Sequence, residues 1–228
     1  MLKSFNVFCL AITSAVLVLG MFAGCDRDSS ETTDELPDGE LVYDENFNDE
    51  ELGEEWQIGT GDREVEEDVW QLVDGTLHVR GAYNSPLWLH EPLPEAFRVS
   101  FSARSESSAG DIKFEILGDG KSHESGYIGI FGGWNNSLNI IARLDEHGGD
   151  RHAGAAEQRV ERGRTYEMDV VRTDNRLRWY VDGELFLTFD DGQPLRGDEH
   201  RYFAFNNWEV PLYFDDLRIY DLGADDDS

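Results

Sequence analysis

The sequence predicts an all-β fold, an antiparallel two-sheet β sandwich, and three observations carry that expectation. Beyond the first 25 residues no segment sustains an apolar period of 3.6 residues, so amphipathic helices are not expected. Short runs rich in Val, Ile, Phe, Trp and Tyr recur at close intervals, separated by Gly, Asp, Asn and Pro. Two such runs turn on Asp-Gly, the dipeptide that supplies the positive φ angles of a two-residue hairpin. Roughly ten to thirteen strands around one core are expected. The 228 residues, 39% hydrophobic and 12% aromatic, are enough to build that core.

The amino terminus comes first. Lys3 precedes a mostly apolar run, Val7 to Ala23, that ends in small residues just before Cys25. A charged start and a short apolar stretch read as a cleaved signal rather than a membrane-spanning helix. Phe22-Ala23-Gly24-Cys25 resembles the bacterial lipobox, with Phe22 where Leu is usual. The resemblance implies a lipoprotein signal peptide over residues 1–24, acylation of Cys25, and a lipid-anchored place in the bacterial cell envelope outside the cytoplasm. An ordinary secretory signal with a leftover thiol is the alternative. Cys9 and Cys25 are the only cysteines, so the mature domain is expected to hold no disulfide.

Residues 25–40 read as an acidic flexible tether, because they contain one large apolar residue and cannot bury enough surface to order themselves. The sandwich is expected over residues 41–222 and a second acidic tail over 223–228. Within the sandwich, Trp70 to Val79 forms a hairpin about Asp74-Gly75, and Arg176 to Phe189 a second about Asp182-Gly183. Leu177, Trp179 and Val181 alternate with Arg176, Arg178 and Tyr180, which predicts one buried and one solvated face. Phe97, Val99, Phe101 and Ala103 repeat this pattern, as do Ile112, Phe114 and Ile116 against Asp111, Lys113 and Glu115. Further strands are expected at 127–131, 138–144, 165–172, 202–206 and 213–220.

Charge excludes some functions. Asp and Glu number 48 against 19 Lys and Arg, for a formal net charge of −29. Such a field repels phosphate backbones and anionic headgroups, so nucleic acid is excluded as a partner and membrane contact is expected through lipid on Cys25 alone. Only three lysines occur, and acid-rich, lysine-poor surfaces suit salt-adapted proteins.

Phe47-Asn-Asp49 with Trp56, the Trp70 to Leu77 hairpin, Tyr166 with Trp179 to Gly183, and the closing Phe214-Asp215-Asp216-Leu-Arg-Ile219 resemble, in that order, the concanavalin A-like lectin/glucanase superfamily. The likeness covers residues 41 to 222. It implies a jelly-roll sandwich with a glycan groove on its concave sheet, and a structural Ca²⁺ near the meeting of first and last strands, for which Asp44, Asp49 and Asp215, with Glu45 and Asp216, are the available oxygen donors. No EF-hand or zinc pattern accompanies them.

Two Trp-Asn clusters carry the strongest binding signal. A sugar site needs flat aromatic faces and planar amide, guanidinium or carboxylate groups for hydroxyls. Trp134, Asn135, Asn136, Arg143, Glu146 and His147 supply these in one stretch, and Asn207 with Trp208 in another. The structural alternative makes Gly132-Gly133 a turn capped by asparagines and both tryptophans core.

Asp111-Ile-Lys113-Phe-Glu115 resembles the alternating acids of family 16 glycosidases, but Asp111 stands at the first Glu and Lys113 at the central Asp. Four strand residues span roughly 13 Å, whereas a retaining pair needs carboxyls about 5 to 5.5 Å apart. These acids therefore read as a solvated strand face, and an enzyme, if there is one, would draw on Asp111, Glu115 and Glu146. The expectation is a monomeric, membrane-anchored carbohydrate-binding module that recognises a glycan or polysaccharide, neutral rather than polyanionic. The alternatives are a glycoside hydrolase with non-standard acids and a structural laminin-G-like surface domain.

Overall fold

A computed structural model describes residues 35–149, 151–153 and 158–223. The signal peptide, Cys25, the first ten residues of the tether and all but the first residue of the acidic tail lie outside the described residues. In chain order the strands are β1 (Glu40–Glu45), β2 (Trp56–Ile58), β3 (Trp70–Val73), β4 (Thr76–Val79), β5 (Leu87–Leu89), β6 (Phe97–Ser105), β7 (Ile112–Gly118), β8 (Tyr127–Gly132), β9 (Leu138–Arg143), β10 (His152–Ala153), β11 (Thr165–Thr173), β12 (Arg176–Val181), β13 (Glu184–Asp190), β14 (Tyr202–Asn206) and β15 (Leu212–Asp221). The count exceeds the expectation because β2, β5 and β10 have only two or three residues, too few for alternation to be legible.

Both Asp-Gly turns are present: Asp74-Gly75 joins β3 to β4 and Asp182-Gly183 joins β12 to β13, all four residues with φ between 52° and 78°. One sheet runs β13-β12-β11-β6-β15-β4-β3, with β1 also paired to β15. The other runs β10-β9-β8-β7-β14-β5-β2. Aromatic rings fill the space between the sheets. Phe114 of β7 meets Trp179 of β12 edge-on at 4.9 Å and Phe101 of β6 at 5.6 Å, and Phe205 of β14 stacks on Phe214 of β15 at 4.3 Å. Gly129 is required opposite Phe114, since a Cβ there would fall 2.2 Å from the ring.

The outward faces depart from the sequence expectation. On the seven-stranded sheet, Lys113 and Glu115 are 2% and 0% exposed, so the solvated strand face read at 111–115 is corrected: that face is covered. Alternation places Ile128, Ile130, Ile140 and Ala142 on one face of β8 and β9, where they form a second apolar cluster separate from the main core. Segments 123–124 and 146 bond over the neighbouring β7 residues, which removes water from the face. On the other sheet Tyr180, expected to be wet, is buried; beside it β13 carries one extra residue, Phe186, between the partners of Trp179 and Tyr180.

Candidate functional site

Strand direction builds the site. β8 and β14 both pair antiparallel with β7, so they run the same way on either side of it. Phe131, near the end of β8, lies opposite Ile112, and Asn206, the end of β14, opposite Lys113, so both strands finish where β7 begins. The loops that follow them therefore rise at one end of the sheet, flanking Asp111. Trp134 and Asn135 come from the first loop, Trp208, Glu209 and Val210 from the second. Asp62, Asn84, Ala109, Glu146 and His147 complete the walls of a cavity of about 440 Å³, with Lys113 and Ile130 also lining it. That size suits a small-molecule or saccharide site.

The first loop holds an unusual backbone. Trp134, Asn135 and Asn136 all adopt left-handed φ angles of 50° to 60°. Asn tolerates this region, whereas a bulky Trp there is strained, and such outliers persist only where the surroundings enforce them. Here Asn136 enforces it: its Nδ2 donates to the Val160 carbonyl at 2.7 Å and its Oδ1 accepts from the Val160 N–H at 3.0 Å. Asn139 accepts from the Gly132 N–H at 2.8 Å. The result leaves Trp134 39% exposed, with His147 against its ring at 5.5 Å and the Arg151 guanidinium over it at 5.2 Å.

Asn207 does the same for the second loop. Its Oδ1 accepts from the Ala82 N–H at 3.1 Å and its Nδ2 donates to the Val210 carbonyl at 2.7 Å, while the Tyr83 N–H donates to the Trp208 carbonyl at 3.0 Å. Trp208 is half-buried against Tyr83, edge-on at 5.3 Å, with Arg63 stacked on both rings.

Beneath the pocket lies a chain of buried charges. Lys113 Nζ donates to Asn84 Oδ1 and to Glu146 Oε2, each at 2.8 Å. His123 bridges the two acids, with Nδ1 2.6 Å from Glu115 Oε1 and Nε2 3.7 Å from Glu146 Oε2. Glu115 also accepts from Asn206 Nδ2 at 2.5 Å and from the Glu124 N–H at 3.1 Å. Burial works to lower the His123 pKa, but its hydrogen bond to Glu115 and that carboxylate's charge outweigh it, and the net direction is up. Burial raises the Asp111 pKa, nearby Lys113 opposing and Glu146 reinforcing the shift.

The structure thus sorts the predicted residues. Trp134, Asn135, Glu146, His147, Trp208 and Asp111 line one cavity. Asn136 and Asn207 are struts behind it, their amides used up by backbone groups. Glu115 is sealed under His123 and Asn206. Arg143 belongs to the opposite face of β9 from Ile140 and Ala142, and pairs with Asp191 at 3.0 Å. Sequence reading missed Asp62, Asn84 and Lys113 as lining residues and His123 as the bridge. Lys113, on a strand of otherwise apolar alternation, was the available signal.

Of the proposed calcium donors, Asp44 is ion-paired with Arg218 at 3.1 Å, and the same guanidinium holds Asp216 at 2.9 Å. Among the described residues Asp44, Asp49 and Asp215 do not converge as a trio able to share an ion. The trio that does is Glu124, Asp145 and His147, whose ligand atoms lie within 4.8 Å of one another.

Fold and pocket together define the class: an antiparallel two-sheet β sandwich with an open, tryptophan- and acid-lined cavity on the outward face of one sheet. Comparison with solved structures gives the same fold. The chain is similar to a non-specific endo-β-1,3(4)-glucanase of family GH16, with a TM-score of 0.61, 13% identity, and coverage of 83% of this chain and 93% of that one. It is similar to the laminarinase catalytic domain from Thermotoga maritima MSB8, with a TM-score of 0.58, 12% identity, and 81% and 98% coverage. It is also similar to the carbohydrate-binding module CBM66 from Bacillus subtilis, with a TM-score of 0.56, 15% identity, and 73% and 96% coverage. No protein-family model matches the chain, and no curated protein matches it.

Proposed function

We propose that this chain is a glycan-binding module, tethered to the bacterial cell envelope by lipid on Cys25, that receives a non-anionic glycan in the pocket at the start of β7. The exposed Trp134 carries the reading: a bulky side chain is held in a strained left-handed backbone by Asn136, at the wall of a cavity that Trp208 also lines. Two indoles offer flat faces to the apolar side of a sugar ring, and Asn84, Asn135 and the carboxylates offer partners to its hydroxyls. A net charge of −29 disfavours polyanions. The likeness to a carbohydrate-binding module and to glucanases supports a saccharide as the ligand class.

A glycan array is the test. Signals for neutral or cationic saccharides that vanish in Trp134→Ala support the reading; a blank array, with and without Ca²⁺ for the Glu124, Asp145 and His147 trio, would leave a structural spacer instead. The tether is tested separately, since Cys25→Ser should move the chain from the membrane fraction to the soluble one.

One observation favours a second reading, hydrolysis. Asp111 lines the cavity as a carboxyl whose pKa is raised by burial, the condition of a general acid, and Glu146 is the other acid at hand. Glu115 drops out of that mechanism because it is sealed from the cavity. Release of reducing sugar that disappears in Asp111→Asn would favour the enzyme.

A further inference from the structure

The pocket walls carry an excess of negative charge. Asp62, Asp111, Glu146 and Glu209 line the cavity against one lysine, and that ammonium is engaged by Glu146 and Asn84. Among the described residues Asp62, Asp111 and Glu209 form no ion pair, and no hydrogen bond reaches the Asp111 carboxyl, whereas Asp62 accepts one from Asn84 at 3.0 Å. Arg63 and Arg151 stack on the two tryptophans but do not line the cavity, and His147 is largely exposed at its rim.

A carboxylate withdrawn from water without a partner is unfavourable until a cation or donor meets it. An indole face attracts the same cation, as Arg63 and Arg151 already show on Trp208 and Trp134. The field of the whole protein draws cations toward the surface as well. A neutral sugar would leave this surplus charge unmatched, and an anionic one would be repelled.

We propose that the pocket takes an amino-bearing glycan, a saccharide whose free ammonium group seats against Asp111 while its rings lie on Trp134 and Trp208. The proposal rests on the glycan-binding reading and narrows its ligand class. A polyamine or a lysine-rich peptide shares the ammonium but lacks the ring faces that two tryptophans fit.

Calorimetric titration of the full chain at about pH 6 and low salt would compare a glucosamine hexasaccharide with its N-acetylated counterpart, cellohexaose, spermine and hexalysine. The amino hexasaccharide should bind at least about tenfold more tightly than the acetylated one, and the margin should shrink in ~0.5 M salt as screening grows. Asp111→Asn should erase the margin while retaining the weaker affinity common to all the saccharides. Its left-handed φ of 66° suits Asn, and Glu209→Gln on the exposed loop should narrow the margin too, which keeps the test open if the first variant folds poorly. Equal affinity for the acetylated and amino forms would overturn the proposal and leave glycan binding standing. Tighter binding of spermine or hexalysine would overturn it in favour of a bare ammonium ligand. If no saccharide binds, the glycan-binding reading fails and this proposal with it.

Discussion

Replacing Lys113 by Met tests whether the floor of the pocket is held by a buried ion pair. The Lys113 side chain is 2% exposed and that of Glu146 7%, with Nζ and Oε2 2.8 Å apart. Met keeps most of the stem volume but removes the ammonium, leaving Glu146 charged with His123 as its nearest cationic partner at 3.7 Å and Asn84 Oδ1 without its donor. Breaking one side of a buried pair costs about 3–5 kcal/mol, and access to the cavity should hold the figure near the lower end. In a domain of this size each kcal/mol moves the melting temperature by about 2–4 °C, so a fall of roughly 6–12 °C is expected. Glu146→Gln alone should cost less, about 1–2 kcal/mol, because the amide oxygen still accepts from Lys113 and the Asp111 carboxylate remains near enough to interact with the ammonium. In the double variant no orphaned charge remains, so it should be more stable than the sum of the two singles predicts by about 1 kcal/mol or more. Urea denaturation at neutral pH, with unchanged slopes, measures all three. A cost below about 1 kcal/mol for Lys113→Met, or strict additivity in the double variant, would refute the coupling on which the pocket floor is argued.

Trp134→Ala should change stability by less than about 1 kcal/mol, since the ring is exposed, yet weaken glycan binding by about 1–3 kcal/mol; a melting temperature that falls by more than ~5 °C would show the ring to be structural. The folded His123 has a raised pKa, so its partnership with Glu115 stabilises fully below the ordinary value of 6.5 and is lost as pH rises through the folded value. Melting temperature should accordingly fall across that alkaline side in the native chain and stay flatter in His123→Gln, and parallel pH curves would contradict this. Asp111 has the opposite sign for stability: its raised pKa makes the ionised form unfavourable in the fold at neutral pH. Asp111→Asn should therefore melt higher than the native chain near pH 7, with the difference closing as pH falls toward about 4, and a lower melting temperature at neutral pH would count against it.

The sequence by itself determined the class of fold and the positions of most strands, because both signals are local. Period-two alternation in segments such as Phe97 to Ala103, and the positive φ angles demanded at Asp74-Gly75 and Asp182-Gly183, need no knowledge of distant residues. The same local chemistry picked out Trp134 and Trp208 as ligand-facing candidates. It could not say which polar neighbours face the cavity and which serve the backbone: Asn135 and Asn136 are adjacent and identical in type, and only the approach of Val160 makes the second a strut. Parity misled it at 111–115, where alternation correctly put Lys113 and Glu115 on the outward face but could not reveal that His123, Glu124 and Glu146 close over that face. Above all, tertiary structure decided that residues more than 70 positions apart share one cavity. The order β8-β7-β14, with both outer strands antiparallel to the middle one, brings their trailing loops to the same end of the sheet, and pairing partners of that kind are chosen by the whole core rather than by either segment.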